Sequence, residues 1–282
     1  MQGISLLGAI CGDIIGSSFE FNNVKAADFH LFDKDSKFTD DTVLTVAVAL
    51  ALMDNDNRIG DCDYLTEIVK YAKKYPHRDY GSKFESWIIN GDYKPYNSYG
   101  NGSAMRVSAI GLWYDTIEEV LAQAEKSAIV THNHPEGIKG AQAVAAAVFF
   151  AKEGESKEFI KEYVESNFGY NLNQKLDDIR KDYDFDETCQ GSVPQAIIAF
   201  LESTDYESAI KLAISIGGDS DTIACITGGI ASAYYQYIPD DIVKFVKSKL
   251  DKHLNGIVET FDFFIDAKLE ESLVGFAKRK YN

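Results

Sequence analysis

Cysteine, long hydrophobic runs and positive charge are all scarce in this chain, and each shortage excludes something. The four cysteines (Cys11, Cys62, Cys189 and Cys225) stand singly, with no C-x-x-C pair and no histidine at metal-ligand spacing. That argues against a zinc site or a disulfide framework and fits a reducing compartment, with each thiol as small core filler. Long hydrophobic runs are missing too: the longest, 42–53, is too short to cross a bilayer. The N-terminus has no basic n-region, and Asp13 interrupts its apolar stretch, so no signal peptide and a cytoplasmic location are expected. Lys and Arg number 28 against 44 Asp and Glu, a formal net charge of −16. A duplex nucleic-acid surface needs clustered cations, so none is expected. Most of the carboxylates read as a solvated surface. The few that lie in apolar or glycine-rich surroundings need another explanation.

What is present points to helices. Apolar residues make up 45% of 282 residues and aromatics 12%, enough for a sizeable core, and a single domain over 1–282 is the simplest reading. Alternating strand patterns are almost absent. Apolar positions recur at three- and four-residue spacing over 64–75, 117–130, 159–168, 209–216 and 242–250. The expected fold is therefore all-α, one compact multi-helix domain. Pro135, Pro194 and Pro239 fall where helices could begin, because a first turn tolerates a missing N–H. Pro76 and Pro95 bracket a loop-rich region with a short helix near 82–89. The acidic stretch 177–187 reads as an exposed loop or frayed helix. Gly8, Gly12 and Gly16 form one bare stripe if helical. Interior glycine costs a helix about 1 kcal/mol relative to alanine, so a close helix–helix contact should offset it.

Two segments crowd acids and hydroxyls at a predicted helix start: Thr39-Asp40-Asp41-Thr42, and Gly217-Gly218-Asp219-Ser220-Asp221-Thr222. Either one alone reads most simply as a helix cap. Together they lead into almost uncharged helices, which must be buried nearly all round and cannot shed the charge into water. Converging carboxylates repel unless a cation sits between them, and an all-oxygen set suits Mg²⁺ or Mn²⁺ rather than zinc. A third acidic segment runs 8–20. Its Asp13 reads as a buried structural acid, and its Glu20 as a helix-end acid free to move with the loop after it. Ser98-Tyr99-Gly100-Asn101-Gly102-Ser103-Ala104-Met105-Arg106 is a glycine-rich turn opening a helix, able to offer N–H groups to a phosphate; an ordinary Asn-Gly turn is the alternative. In Thr131-His132-Asn133-His134-Pro135 the histidines could be ligands but lack carboxylate company. A hydrogen-bonding or stacking role for His132 and a helix-entry role for His134 are favoured.

These five segments, in this order, resemble the ADP-ribosylglycohydrolase family, which includes the dinitrogenase reductase-activating glycohydrolases. The matching pieces are G-D-x-x-G-x-x-x-E at 12–20, T-D-D-T at 39–42, G-N-G-S-A-M-R at 100–106, T-H-x-H-P at 131–135 and G-G-D-S-D-T at 217–222. Tyr80-Gly81 with Phe84 and Trp87, and Ser192-Val193-Pro194, also look familiar. The resemblance spans roughly 3–236; the residues after about 237 carry no signature. It implies an all-α fold with two Mg²⁺ or Mn²⁺ ions in a central cleft. By position, Thr39, Asp40 and Asp41 would bind one ion, Asp219 and Thr222 the other, with Asp221 between them. Glu20 matches a glutamate close to the metals. Ser98, Tyr99, Gly100, Asn101, Gly102, Ser103 and Met105 fall in the part that holds the diphosphate and distal ribose, and His132 lies near the adenosine side.

The implied activity is hydrolysis of the glycosidic bond joining ADP-ribose to a modified protein or small molecule. Cleavage at the anomeric carbon builds oxocarbenium-like charge, which carboxylates stabilise, and Asp41 or Glu20 would take the proton of the attacking water. Three rivals remain at this point. A helical phosphoester hydrolase of the HD type needs His-Asp doublets, and none occurs here. A structural relative, as the lens crystallins are, should have lost metal ligands, yet both acidic segments are intact. The third is a protein that binds ADP-ribose without turnover.

Overall fold

The computed structural model describes residues 3–55 and 62–281, with side chains as far as Glu270. Its helices in chain order are α1 (Leu7–Gly16), α2 (Asp40–Asn55), α3 (Tyr64–Lys74), α4 (Ser82–Asn90), α5 (Ser108–Trp113), α6 (Ile117–Ile129) and α7 (Pro135–Lys152). There follow α8 (Lys157–Phe168), α9 (Leu176–Asp182), α10 (Cys189–Glu202), α11 (Tyr206–Ile214), α12 (Ser220–Tyr235), α13 (Asp240–Lys249) and α14 (Lys252–Tyr281). No strand forms among the described residues, and Gly100 and Thr188 make one isolated antiparallel bridge. No described helix is long and apolar enough to cross a membrane. The all-α expectation holds.

Four helices form the centre because they are apolar on every side. α1 is buried along its whole length, α12 from Ser220 to Ala233, and α2 and the alanine-rich α7 nearly so. The amphipathic α3, α6, α8, α11 and α13 wrap around them, each turning a narrow apolar stripe inward. One continuous hydrophobic cluster runs from Ile4 to Ile265. The segment after 237 therefore has a packing role. Val246, Leu254, Val258, Phe261 and Ile265 are buried, and Asp262 of α14 accepts hydrogen bonds from Ser5 Oγ (2.5 Å) and Leu6 N (2.8 Å), satisfying the Leu6 amide at the start of α1.

Helices expected from 159, 209 and 242 start two or three residues earlier, at 157, 206 and 240. The reason is that Ser156 and Asp205 cap them, and Pro239 precedes the third, so polar first-turn residues join the helix ahead of the first apolar position. Pro135 opens α7 as expected. Pro194 does not open a helix: it is the sixth residue of α10, which Thr188 caps instead. The carbonyl left without a partner there is that of Gln190, an exposed residue that water can serve.

The glycine stripe lies against α12. A methyl at Gly12 would collide with the backbone of Ala224, one at Gly8 with Ser232, and one at Gly16 would lie 2.6 Å from Asp221 Cα. Tyr206 adds a buried hydrogen bond from its hydroxyl to Gly8 O (2.7 Å). Because the neighbours at Gly12 and Gly16 are backbone atoms, the two helices would have to separate to admit a side chain there. Gly12→Ala should therefore destabilise by about 2–3 kcal/mol, roughly 5–10 °C in Tm. Gly256→Ala in α14, where nothing lies within 4 Å, should instead stabilise by about 0.5 kcal/mol. Thermal melts of the two variants check the contrast; equal effects would mean α1 and α12 have slack.

Candidate active site

The start of α2 is capped locally by Thr39, whose Oγ1 accepts from Asp41 N (3.3 Å), and also from a distance. Thr39 N (3.0 Å), Thr39 Oγ1 (2.7 Å), Thr42 N (3.1 Å) and Thr42 Oγ1 all donate to the Asp13 carboxylate, which α1 delivers fully buried. Asp13 thus takes up the structural duty and leaves Asp40 and Asp41 free of it. At the start of α12 no side-chain capping bond forms. Asp219 is held by Asn101, whose Nδ2 donates to Asp219 Oδ2 (2.6 Å) and also to Ser192 Oγ (3.0 Å). The two helix starts meet where Thr222 Oγ1 donates to Asp41 Oδ2 (3.1 Å). Capping therefore leaves Asp40 and Asp41 unexplained in the first segment, while in the second Asp221 Oδ1 accepts from the first-turn Thr222 N (3.1 Å).

Two carboxylate groups result, and they share one member. Asp13, Asp41 and Asp221 each place an oxygen within 4.8 Å of the others, and so do Glu20, Asp219 and Asp221. Burial first, and mutual repulsion second, hold Asp40, Asp41 and Asp221 well above the usual carboxylate range. Burial raises Asp219 and lifts Asp13 to about 6, against the pull of its hydrogen bonds. Glu20 rises to about 7 through burial, Asp219 and Asp79, with Lys37 working the other way. Among the described residues no Lys or Arg pairs with these six acids, and Asp41 Oδ1 is buried with no partner at all. An all-oxygen set with an orphaned carboxylate oxygen fits a hard divalent cation.

Above these groups lies a cavity of about 370 Å³, a size typical of small-molecule sites. Of the expected residues, Glu20, Asp40, Asp41, Asp219, Asp221 and Thr222 line it, as do Ser98, Tyr99, Gly100, Asn101, Gly102, Met105 and His132. Two do not. Thr39 is buried beneath, and Ser103 faces away, its hydroxyl donating to Gly137 O (2.8 Å) as the turn packs on α7. The turn also spends amides on the protein itself: Gly100 N donates to Ser98 Oγ (3.1 Å) and Asn101 N to Glu187 O (2.8 Å). His134 is the helix-entry residue expected, its Nδ1 accepting from Glu136 N (3.1 Å).

The loop after Glu20 is tied down rather than free. Asn23 Nδ2 donates to Glu20 O (2.6 Å) and Phe19 O (3.0 Å), while Asn23 Oδ1 accepts from Gly218 N. Lys25 donates to Ile216 O and Tyr183 O, both at 2.7 Å. Gly217 and Gly218 have φ of +78° and +70°, which glycine adopts without strain, and this turns the chain toward Asn23 and Lys25 just ahead of Asp219.

Sequence reasoning missed Asp79, Tyr96, Arg106, Phe185 and Glu187, all of which line the cavity. Arg106 closes a motif already singled out. Phe185 and Glu187 sit in the acidic stretch, where α9 ends at Asp182 and an extended segment passes the cavity mouth; there Phe185 stacks on the exposed Phe21 (6.4 Å). No local signal marks them.

The family model for ADP-ribosylglycohydrolase matches residues 4–269. The chain belongs to that family. It is 30% identical to "ADP-ribosylhydrolase ARH3" of Xenopus tropicalis, over 82% of this chain and 86% of the relative. The human protein of the same name is 28% identical, covering 82% and 84%. "ADP-ribosylarginine hydrolase Tri1" of Pseudomonas putida is 26% identical over 82% of this chain and 69% of its own length. A solved structure, "ADP-ribosylglycohydrolase-related protein complex", shares the fold with a TM-score of 0.66 and 23% identity, covering 91% of this chain and 95% of its own.

The raised carboxylates carry a pH sign. A folded pKa above the unfolded one means that the native protein binds more protons, so the metal-free protein loses stability as pH rises from about 4 through 6 and 7, where Asp13 and Glu20 titrate. A divalent cation must displace those protons. Millimolar Mg²⁺ should therefore raise Tm by on the order of 5 °C at pH 7.5 and by less at pH 5.5, with Asp219→Ala removing the response. Differential scanning fluorimetry with Mg²⁺ or EDTA reads this; indifference to both would show that the acids hold no cation.

Proposed function

We propose that the chain is a divalent-metal-dependent hydrolase that releases ADP-ribose from an ADP-ribosylated protein or small molecule by cutting the glycosidic bond at the distal ribose. The observation that carries this reading is the meeting of two carboxylate groups at Asp221, on the floor of the cavity that also takes in the 98–102 turn. Family membership supplies the substrate class, since the curated relatives named above are ADP-ribosylhydrolases.

Two Mg²⁺ or Mn²⁺ ions would be held by Thr39, Asp40 and Asp41 on one side and by Asp219 and Thr222 on the other, with Asp221 shared. Bound there, they supply Lewis-acid polarisation and an activated water. The chain's own residues do the rest. Asn101 orients Asp219 and joins the metal floor to the phosphate side of the cavity. Asp13 stays with its threonines and keeps α2 in register. Asp41 and Asp221 sit enclosed among other acids, a setting for ligands. Glu20 is half-buried at the cavity just beyond the end of α1, outside the enclosed acids, with a carboxylate oxygen within 4.8 Å of those of Asp219 and Asp221. Glu20 is therefore the general base, and its charge also faces the positive charge that develops at the anomeric carbon.

Glu20→Gln keeps the size and removes the basicity. It should slow single-turnover hydrolysis by about 100-fold or more while ADP-ribose still binds within about threefold of wild type. Asp221→Asn should lose metal and activity together. Should Glu20→Gln turn over like wild type, Glu20 is a helix-end residue only and Asp41 is the base. By calorimetry ADP-ribose should bind well and AMP much more weakly, because the metal floor contacts the distal ribose. Equal affinities would place recognition on the adenosine half.

A further inference from the structure

Arg106 is fully buried, and among the described residues no carboxylate pairs with it. Its Nη2 donates to Ser127 O (2.7 Å) and to Thr131 Oγ1 (3.1 Å), while Nε and Nη1 have no partner. Thr131 is equally buried, and its Oγ1 lies 2.6 Å from His132 Nδ1. The direction of each bond follows from elementary chemistry. A guanidinium only donates, so the Thr131 oxygen accepts from Arg106. The Thr131 hydroxyl proton then has one acceptor within reach, His132 Nδ1. Were Nδ1 protonated instead, that hydroxyl proton would be buried without a partner. Nδ1 therefore carries a lone pair.

We infer that Arg106 and Thr131 are positioning residues that fix His132 as the neutral imidazole with its proton on Nε2, so that it meets the cavity as a hydrogen-bond donor to an oxygen of the ligand. Two further observations agree. His132 Nε2 faces Gly100 and Gly102, where an added Cβ would lie 3.6 and 3.3 Å from it, and among the described residues it meets no acceptor. The missing side chains at these two glycines keep that nitrogen open to the cavity His132 lines. Burial, then the positive charge of Arg106, pushes His132 well below the usual histidine range, which keeps the ring neutral. The same charge polarises the ring and strengthens the remaining N–H as a donor. A proton on Nδ1 would leave only a lone pair toward the cavity, which an oxygen acceptor would repel. Only the identity of the ligand rests on the function proposed above; the protonation of the ring does not.

The test is ¹⁵N NMR of histidine-labelled, full-length protein without ligand, with the His132 signals assigned by His132→Gln. At pH 7.5 the wild type should show a neutral ring protonated at Nε2. Thr131→Val should shift the ring toward the Nδ1–H form and weaken ADP-ribose binding about tenfold, and Thr131→Ser should restore both. A general loss of packing would lower Tm in Thr131→Val without moving the tautomer, and that result overturns the inference. So does a wild-type ring that is Nδ1–H or doubly protonated, which decides the matter even if Thr131→Val does not fold. A wild type with the Nε2–H ring that fails to bind ADP-ribose would count against the ADP-ribose site and leave the histidine assignment standing.

Discussion

The packing of α1 on α12 is the constraint on which the rest of the site depends. Glycines at 8, 12 and 16 let the backbones approach until a methyl at Gly16 would lie 2.6 Å from Asp221 Cα. That approach brings Asp13, on the same helix as the glycines, beneath the starts of both α2 and α12. Without it the carboxylate of Asp13 could not reach the threonines of α2 while Asp41 and Asp221 stand beside it. The helices pay for the bare stripe in local propensity and recover it in contact with a neighbour's backbone. A helical stripe of small residues thus controls the distance between charges some residues away from it.

The electrostatics of the floor are unfavourable for folding and useful for chemistry. The acids of the two groups and Asp40 have no Lys or Arg paired to them among the described residues; burial raises all of them, and repulsion adds to it at Glu20, Asp40, Asp41 and Asp221. Such a cluster destabilises the metal-free chain unless protons or cations neutralise it. The fold limits the cost by division of labour. Asp13 has its oxygens engaged by Thr39 and Thr42, Asp219 is engaged by Asn101, and Asp41 keeps one oxygen unpartnered. The same cavity is also lined by a buried cation: Arg106 has no acid paired with it among the described residues and bonds Thr131, which in turn bonds His132.

The rim is built from a different kind of sequence. Phe21 and Phe185 stack across the mouth, and the Gly217–Gly218 turn is clasped by Asn23 and Lys25. These contacts join segments some 160 to 195 residues apart, and none of them belongs to a helix. They link the backbone of Glu20 to the turn that sets Asp219.

By itself the sequence determined the helical class, the helices with a clear three- and four-residue period, and the residue types of the floor. Those are encoded locally: periodicity declares a helix, and acids crowded before an apolar run declare a buried charge. Family resemblance in the order of five short motifs then pointed to the chemistry. What only the tertiary structure decided was which acid does what. Local rules made caps of Asp40, Asp41, Asp219 and Asp221, but α2 is capped by Thr39, whose Oγ1 accepts from Asp41 N (3.3 Å), and by Asp13 from α1, at a distance no local rule could anticipate. Ser103 read as a ligand residue yet faces α7, because a one-residue step in a turn reverses a side chain. Pro194 read as a helix start and lies inside α10, because Thr188 was a better cap. Asp79, Arg106, Phe185 and Glu187 reach the cavity only through the approach of chain segments remote from one another. The protonation of His132 is set the same way, through a bond from α6's exit to the end of the 98–106 turn. Contacts of that kind depend on where helices cross, and a linear pattern carries no record of the crossing.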